Sequence, residues 1–479
     1  MSSRQAASAL NRFGLGARAG ELQSLRDPRG WLLDQAASAA LRAFAGLPSS
    51  RDYLQREFAF NRERLAERRA KRARTAADSG DAVEKFKANF RERFGESQLA
   101  EIGARYRVAS TTEAGFAERL VRFWSNHFAI SADKRQAALY AAPMEREAIR
   151  PHVFGRFEDL LLAAETHPGM LRYLDNVQSV GEESMFAERG ERRLRRRGGG
   201  APRKLGLNEN LAREILELHT LGVDGGYSQA DVTEFARAIT GWGTPPMRDL
   251  AQGERIDSAF VFRAAAHEPG ARTVLGKRYA EGGVEQGRAV LADLARHPAT
   301  AKHLSLKLAR HFVADDPPPA LVERMASAYS KSGGELRSVY RAMIESDLAW
   351  NDDARKFKTP DDFLVSAFRA GGIDGGARPQ GVVALLRQLG QPPFTPRSPA
   401  GFADTAADWT GPDALWKRVQ AAEALAQRLP QQRVDPAALA QGALGPAFDA
   451  DTAAALKRAE SARDGAALLF ASPAFQWRT

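Results

Sequence analysis

The chain of 479 residues is too long for one small core, and its 44% apolar and 27% charged residues are typical of a globular protein. The absence of cysteine excludes disulfides, thiolate metal sites and cysteine nucleophiles. The formal net charge of +10 fits a polyanionic partner, but acidic residues are interleaved with the basic ones, so nucleic acid is not expected. No run approaches the ~20 apolar residues of a membrane span, and the first residues lack the apolar centre of a secretory signal.

Helical periodicity dominates the first part of the chain. A charged helix is predicted over 51–74, and a second helix follows the break at 78–81, so the two form a helical hairpin. An amphipathic helix is predicted over 113–130. An apolar helix follows from 156 and is interrupted at 167–169, where the sequence reads His-Pro-Gly.

The second part of the chain contains the only non-helical signals. Residues 181–204 predict a basic flexible loop, of which 190–204 is either simply solvated or a contact for an anionic surface. Strand-like content near 256–280 predicts a small β-hairpin, and helices return from 284 onward.

The predicted fold class is therefore all-α, with that small hairpin as its exception. The chain is expected to form a single large helical domain, 1–479. The alternative is two tightly packed lobes, approximately 1–180 and 205–479, joined by the basic loop.

The densest charge lies in NENLAREILELHTLGVDGGYSQADVTEFARAITGW, residues 208–242. Glu209, Arg213 and Glu217 are spaced four apart and fall in one row of a helix. That row is either an exposed ladder of weak ion pairs or a buried ionic network retained for a site. Glu214 lies nearer the apolar stripe, where a carboxylate must be paired or acquire a raised pKa, as general acids and bases do.

The ends of this helix pair carry further candidates. His219 falls in the last turn before Gly222, where a histidine is either a cap for the helix dipole or an acid or base. Ser228 and Asp231 have the spacing of a capping box, so Asp231 is either a cap or a catalytic carboxylate. Arg237 follows Glu234 by three residues and is a candidate for binding an anionic substrate group.

The amphipathic helix carries the other histidine of interest. His127 shares a face with Phe116, Leu120 and Phe123, as a satisfied core histidine or a functional one would, and Asn126 is its polar neighbour. Trp124 in this helix and Trp242 at the end of the central segment are either core residues or a redox pair open to cross-linking.

Several familiar sites are not signalled. The eight histidines include no HExxH pair, and the chain contains no EF-hand loop, phosphate-binding glycine loop or GxSxG elbow. No metal, nucleotide or haem is therefore predicted. The only cofactor hypothesis is a self-derived modification of the tryptophans.

Seven segments together resemble a bacterial family known as domain of unknown function 1800, over essentially the whole chain. They are ALNRFGLGAR (9–18), RFWSNHFAI (122–130), YLDN (173–176), the central segment, HPATAKHLSLKLARHFV (297–313), KTPDDF (358–363) and SPAFQ (472–476). Two positions depart from the family pattern: Leu211 stands where tyrosine is usual, and Phe402 where tryptophan is common.

The resemblance implies a helical bacterial protein that is often exported, hence periplasmic or extracellular, although a cytoplasmic location stays open. It also implies a sulfatase-like partner, since the family is frequently encoded beside one. It does not imply a reaction.

Three functions follow as hypotheses: a hydrolase or lyase acting on an envelope or extracellular substrate, a non-catalytic assembly protein that binds a partner, and a redox protein built on the two tryptophans. The enzyme hypothesis assigns acid, base or orienting roles to His127, His219, Glu214, Glu217 and Asp231, and substrate binding to Arg213, Arg237, Asn126, Trp124 and Trp242.

Overall fold

The computed structural model describes residues 3–35, 42–72, 81–196, 206–246, 258–351, 353–430 and 435–479. Helices make up 63% of the protein, and the strands of the described residues form only three two-stranded sheets. The prediction of a mainly helical fold is confirmed.

Most helices are short, apart from Ser50–Arg72 and Asp81–Thr111, and many begin with proline at the first position, where its missing N–H is not needed. The α-helices of these ranges run over Ser3–Ser8, Glu21–Ser24, Pro28–Asp34, Ser50–Arg72, Asp81–Thr111, Gly115–His127, Ala141–Met144, Phe157–Glu165, Pro168–Tyr173, Met185–Arg196, Asn210–Glu214, Gln229–Ala238, Val284–Arg296, Pro298–Phe312, Pro319–Ser332, Leu336–Ile344, Pro360–Ala370, Pro379–Gln388, Ala406–Trp409, Pro412–Ala426, Pro436–Leu444, Ala450–Lys457, Ala462–Ala471 and Pro473–Gln476. Wider or tighter turns occur as π-helix over Ala9–Phe13, Glu145–Ile149 and Ile215–Thr220, and as 3-10 helix over Asn176–Gln178, Ala264–Ala266, Asp347–Trp350 and Gly445–Ala447.

The β-structure is antiparallel throughout. Arg272–Val274 pairs with Lys277–Tyr279, which confirms the predicted hairpin. The strand Val261–Phe262 is not part of that hairpin, because it pairs with Trp242–Gly243 at the end of the central segment. The third sheet, Lys356–Phe357 with Trp477–Arg478, ties the C-terminal residues to the middle of the chain.

The predicted loop over 181–204 needs a correction, because Met185–Arg196 forms a helix. This stretch contains no proline, and its charges pair one turn apart, with Arg192 Nη2 2.7 Å from Glu188 Oε2. Residues 197–205, which hold the glycines of the basic stretch, lie outside the described residues. The suggested anionic-surface contact of 190–204 therefore stays a prediction.

Local capping explains several polar residues. The predicted capping box is present: Ser228 Oγ accepts from Asp231 N at 3.2 Å, and Asp231 Oδ2 accepts from Ser228 N at 2.8 Å. Two histidines cap the helices that their following prolines begin, since Nδ1 of His167 accepts from Gly169 N and Nδ1 of His297 accepts from Ala299 N. These histidines already have a structural role.

Two apolar clusters form most of the core. The larger one draws residues from both sides of 181–204 and includes Trp124 and Trp242. The second draws mainly on 363–475, together with Tyr106. No helix in the described part of the chain is both long enough and apolar enough to cross a bilayer. The division into one domain or two lobes stays a prediction.

Candidate functional site

Three helices surround the site, and we label them α1 (Gly115–His127), α2 (Pro298–Phe312) and α3 (Pro360–Ala370). His303, Lys307 and His311 are spaced four residues apart on α2, so they form one row along that helix. The row lies against α1.

Distances between rings show how closely α1 and α2 approach. The ring centroids of His127 and His303 are 6.5 Å apart, and those of Phe123 and His311 are 5.2 Å apart. The imidazoles of α2 therefore lie beside the aromatic face of α1.

Next to this row is a cavity of about 290 Å³, near the lower end of the size range of small-molecule sites. Its wall combines apolar rings, such as Phe123, Phe394 and Phe402, with many ionisable groups. The ionisable lining residues are Arg105, Tyr106, Arg119, Arg122, His127, Glu145, Lys307, Arg310, His311, Asp361, Asp362 and Asp404.

His311 is held by a carboxylate on the cavity wall. Its Nδ1 lies 2.9 Å from Asp404 Oδ2, while its buried Nε2 has no hydrogen-bond partner within the described residues. Burial lowers the pKa of His311 below its usual 6.5, although Asp404 opposes the shift. The ring is therefore neutral near pH 7, with Nδ1–H directed to Asp404 and a lone pair on Nε2.

His127 has a similar unsatisfied nitrogen. Its Nε2 lies 3.2 Å from the backbone oxygen of His219, and its Nδ1 lacks a hydrogen-bond partner among the described residues. Burial, together with the charge of Lys307, lowers the pKa of His127 well below 6.5. The cavity wall thus includes two neutral imidazoles, each with one buried nitrogen that accepts no hydrogen bond from the described residues.

The acidic pair at the start of α3 is occupied by arginines. Asp362 Oδ1 lies 2.7 Å from Arg119 Nη1, and its Oδ2 lies 3.5 Å from Arg478 Nε. Burial opposes ionisation, but these two guanidiniums keep the pKa of Asp362 far below its usual value. Asp362 is therefore a permanent anion.

The neighbouring Asp361 contacts Arg122 and the Tyr106 hydroxyl, and Arg105 Nη1 lies 3.6 Å from its Oδ1. Burial opposes its ionisation too, and the same arginines hold its pKa below the usual value.

These contacts belong to three separate sets of ion pairs around the cavity. Together the sets contain six carboxylates and six cations, with His311 beside Asp404. The members are Glu118, Glu145, Asp315, Asp361, Asp362 and Asp404, with Arg105, Arg119, Arg122, Arg150, Lys356 and Arg478. Each carboxylate on the cavity wall therefore has at least one cationic partner, as burial requires.

Two further cations on the cavity wall stand outside these ion pairs. Lys307 makes no hydrogen bond or ion pair with the described residues, and Arg310 donates from Nε to the backbone oxygen of Asp315 at 2.9 Å without a carboxylate partner there. Burial lowers the pKa of Lys307 to about 8, against the attraction of Asp404.

The histidine at the end of the central helix is placed beside the cavity rather than in its wall. His219 is fully buried in the π-helical turn Ile215–Thr220, its ring centroid is 5.9 Å from that of His127, and its Nδ1 lies 2.7 Å from Glu165 Oε1. The angle of that contact does not make a hydrogen bond. Sequence reasoning missed Glu165.

The predicted carboxylates of the central segment lie elsewhere than the wall of the cavity. Glu214 is half-buried, which raises its pKa as expected, with His219 opposing the shift. Glu217 accepts from the Tyr227 hydroxyl at 3.4 Å. Asp231 serves the helix cap and also accepts from Leu275 N at 2.6 Å.

The predicted arginines are paired close by in sequence. Arg213 lies 3.0 Å from Glu209 and 2.8 Å from Gln229, and Arg237 lies 2.5 Å from Glu234. Neither lines the cavity.

Of the remaining candidates, Asn126 lines the cavity, and it exchanges two hydrogen bonds of 2.9 and 2.8 Å with the backbone of Phe402. The two tryptophans are fully buried in separate surroundings. Trp124 donates from Nε1 to the Tyr340 hydroxyl at 2.7 Å, whereas Trp242 packs against Phe260 at 5.6 Å between centroids.

The residues that sequence reasoning missed are Lys307, Arg310, His311 and Asp404. A signal existed for Lys307 and His311, because HPATAKHLSLKLARHFV places His303, Lys307 and His311 in one helical row. Asp404 carried no comparable signal, since it follows a loop rich in proline and glycine.

A group of three or more His, Cys, Asp or Glu side chains arranged to hold a metal ion does not occur among the described residues. The carboxylates of the cavity face arginines and lysines, which occupy their oxygens.

Comparison with known proteins gives one match. The family model described as "Protein of unknown function (DUF1800)" matches residues 8–477. No curated protein and no solved structure matches the chain.

Proposed function

The chain belongs to the DUF1800 family, and we propose that it is an enzyme, a hydrolase or lyase that uses general acid–base catalysis in the cavity between α1, α2 and α3. The observation that carries the proposal is the pair of His311 and Asp404, with Nδ1 and Oδ2 2.9 Å apart and Nε2 of His311 without a hydrogen-bond partner among the described residues.

The chemistry follows from the position of the protons. Neutral His311 accepts a proton at Nε2 from a water, a hydroxyl or an acidic C–H of the substrate. Asp404 keeps the Nδ1–H tautomer and stabilises the imidazolium that forms, as a carboxylate does for the histidine of a hydrolase triad. His127 is the second group able to exchange a proton with a molecule in the cavity.

Both reaction classes start from this step. In a hydrolysis the base activates water, and in an elimination it removes a proton from carbon. A substrate packed against the apolar rings of the wall would displace water from the cavity, which strengthens the interaction of the charged groups with the reacting atoms.

The test is turnover of 4-nitrophenyl acetate, 4-nitrophenyl sulfate and 4-nitrophenyl phosphate, with a polygalacturonate eliminase assay for the lyase class. We expect His311→Gln to lower kcat/KM by about 10² to 10⁴, while His152→Gln, away from the cavity, leaves it unchanged. Because Asp404 acts through His311, adding Asp404→Asn to His311→Gln should cost nothing more. Undiminished turnover in His311→Gln, or additive losses in the double variant, would refute the assignment.

The pH profile provides a second measurement. The base must be unprotonated, and burial lowers the pKa of His311 below 6.5. The acid limb of kcat/KM should therefore have its midpoint below pH 6.5. A nitrogen-15 NMR titration that finds His311 protonated at pH 7 would contradict this mechanism even without a known substrate.

A non-catalytic assembly role is the second candidate, and one surface favours it. Leu415, Trp416 and Val419 are exposed together on the helix Pro412–Ala426, with Trp416 62% exposed. Complementation of a deletion strain separates the two functions, since an assembly protein is inactivated by Trp416→Ser and tolerates His311→Gln.

An envelope or extracellular substrate and a sulfatase-like partner remain proposals from the family context. Fractionation of cells that produce the full-length chain, followed by co-purification with the neighbouring gene product, would test both.

A further inference from the structure

The wall of the cavity contains more positive charge than its own carboxylates compensate. Arg105, Arg119 and Arg122 each form an ion pair with a carboxylate of the same wall. Lys307 and Arg310 are two further cations of the wall, contributed by α2. Both line the cavity, and neither has a carboxylate partner within the described residues.

Two buried cations elsewhere, Lys358 and Arg418, differ from Lys307 and Arg310 in their contacts. Lys358 lies 3.8 Å from the ring centroid of Phe475, and Arg418 hydrogen-bonds to Gln476 and to a backbone oxygen, so each has a partner away from the cavity. Neither lines the cavity. Lys307 and Arg310 are therefore the cations of the cavity wall that form no ion pair with a described carboxylate.

A partly buried cation without a counter-ion is costly, and the fold shows that cost at Lys307, whose pKa desolvation lowers to about 8. An anion bound in the cavity would remove this cost, because it would act as the counter-ion of the poorly solvated Lys307 ammonium. The spacing of three residues sets the two side chains on neighbouring positions of the same helix face. One oxyanion can therefore contact both.

We propose that Lys307 and Arg310 form the binding site for an oxyanionic group, a carboxylate or a sulfate or phosphate ester, of a small substrate or of the end unit of a larger one. Arg310 retains its terminal nitrogens for a forked contact, and Lys307 contributes a compact charge. The rings of Phe123, Phe394 and Phe402 then cover the uncharged remainder of the molecule. Only the statement that the bound anion belongs to a substrate rests on the proposed function. Anion binding itself is measurable without catalysis.

The experiment is calorimetric titration of the full chain with acetate, sulfate or inorganic phosphate, at constant ionic strength set with chloride. We expect the best of the three to bind about tenfold or more tightly than chloride, and Lys307→Met and Arg310→Gln each to weaken it about tenfold. Lys307→Arg should restore binding. Lys302→Met, an exposed lysine on the same helix, is the matched control and should bind within about twofold of the wild type.

The pH dependence adds a signature that a purely structural role would not produce. Affinity should fall as pH rises through about 8, where Lys307 loses its proton, and the fall should be absent in Lys307→Arg. Wild-type protein that binds none of the three anions more tightly than chloride would overturn the proposal. So would Lys307→Met with wild-type affinity.

The two proposals can fail separately. His311→Gln should retain anion binding while it loses turnover. Anion binding without any effect of His311 on turnover supports the binding site and refutes the acid–base mechanism. Turnover that depends on His311, without preference for any of the three anions over chloride, supports the acid–base mechanism and refutes the anion-binding site.

Discussion

The helix pair of the central segment and the cavity beside α2 contain similar types of residue, but they satisfy their charges in different ways. In the helix pair, Arg213 contacts Glu209 four residues away, and Arg237 contacts Glu234 three residues away, on partly exposed surfaces. At the cavity, Arg119 contacts Asp362 across 243 residues, and both side chains are buried.

The difference shows that dense charge in a sequence is a poor guide to a site. Charges one helical turn apart can pair with each other whatever the tertiary structure does, and water screens what remains. Charges brought together from distant segments in a poorly solvated site must be compensated by ion pairs. Lys307 and Arg310 form no such pair with the described residues, and they are the cations that we assign to a ligand.

The largest effect should follow from breaking a buried pair at the cavity. Asp362→Ala leaves the guanidiniums of Arg119 and Arg478 without this carboxylate, so we expect it to lower the free energy of unfolding by about 3 to 5 kcal/mol. Urea denaturation followed by circular dichroism measures it. Asp413→Ala, which breaks an exposed pair with Lys417, is the control and should cost less than about 0.5 kcal/mol. An equal loss of unfolding free energy in Asp362→Ala and Asp413→Ala would contradict the difference between buried and exposed ion pairs.

The next effect has the opposite sign. The pKa of Lys307 is about 8 in the folded protein and 10.5 in the reference state, so between these values the unfolded chain binds more protons and stability rises with pH. The penalty of the buried ammonium is fully present below pH 8 and is gone above pH 10.5. Lys307→Met should therefore stabilise the protein by about 2 kcal/mol at pH 7, after allowance for the partial exposure of the side chain.

Thermal unfolding of Lys307→Met and wild type between pH 7 and pH 10.5 would follow this difference. The extra stability of Lys307→Met over the wild type should shrink as the pH rises. Lys302→Met should show no such extra stability. A difference that does not change with pH would mean that the gain comes from packing rather than from the charge.

The smallest effect is expected in the helix pair. Arg213 is 38% exposed, so Arg213→Gln should change the free energy of unfolding by no more than about 0.5 kcal/mol, and less at high salt. Arg119→Gln should cost several times more in the same assay. A large, salt-independent loss for Arg213→Gln would place the central row among the buried networks instead.

Much of the local structure was predictable. The helical class, the hairpin near 272–279, the capping box of Ser228 and Asp231 and the raised pKa of Glu214 all follow from spacing and apolar pattern. The prediction of a loop misses the helix Met185–Arg196, because a stretch dense in arginine and poor in apolar residues resembles a solvated loop.

The site was predictable only in part. His127 and Asn126 were identified from the sequence, and both line the cavity. His219 lies beside them, but it faces Glu165, and Glu217, Asp231, Arg213 and Arg237 lie elsewhere. Their catalytic or binding roles stay predictions.

The sequence by itself determined where helices begin, which residues cap them and which charges pair within a turn, because these interactions join residues close in the chain. Only the tertiary structure decided which charges are left without a partner. His311 contacts Asp404, which lies 93 residues away in the sequence, whereas Lys307 forms no ion pair with a carboxylate in the described part of the chain. Whether a buried charge is compensated depends on all of its neighbours in space, and helical periodicity does not report on them.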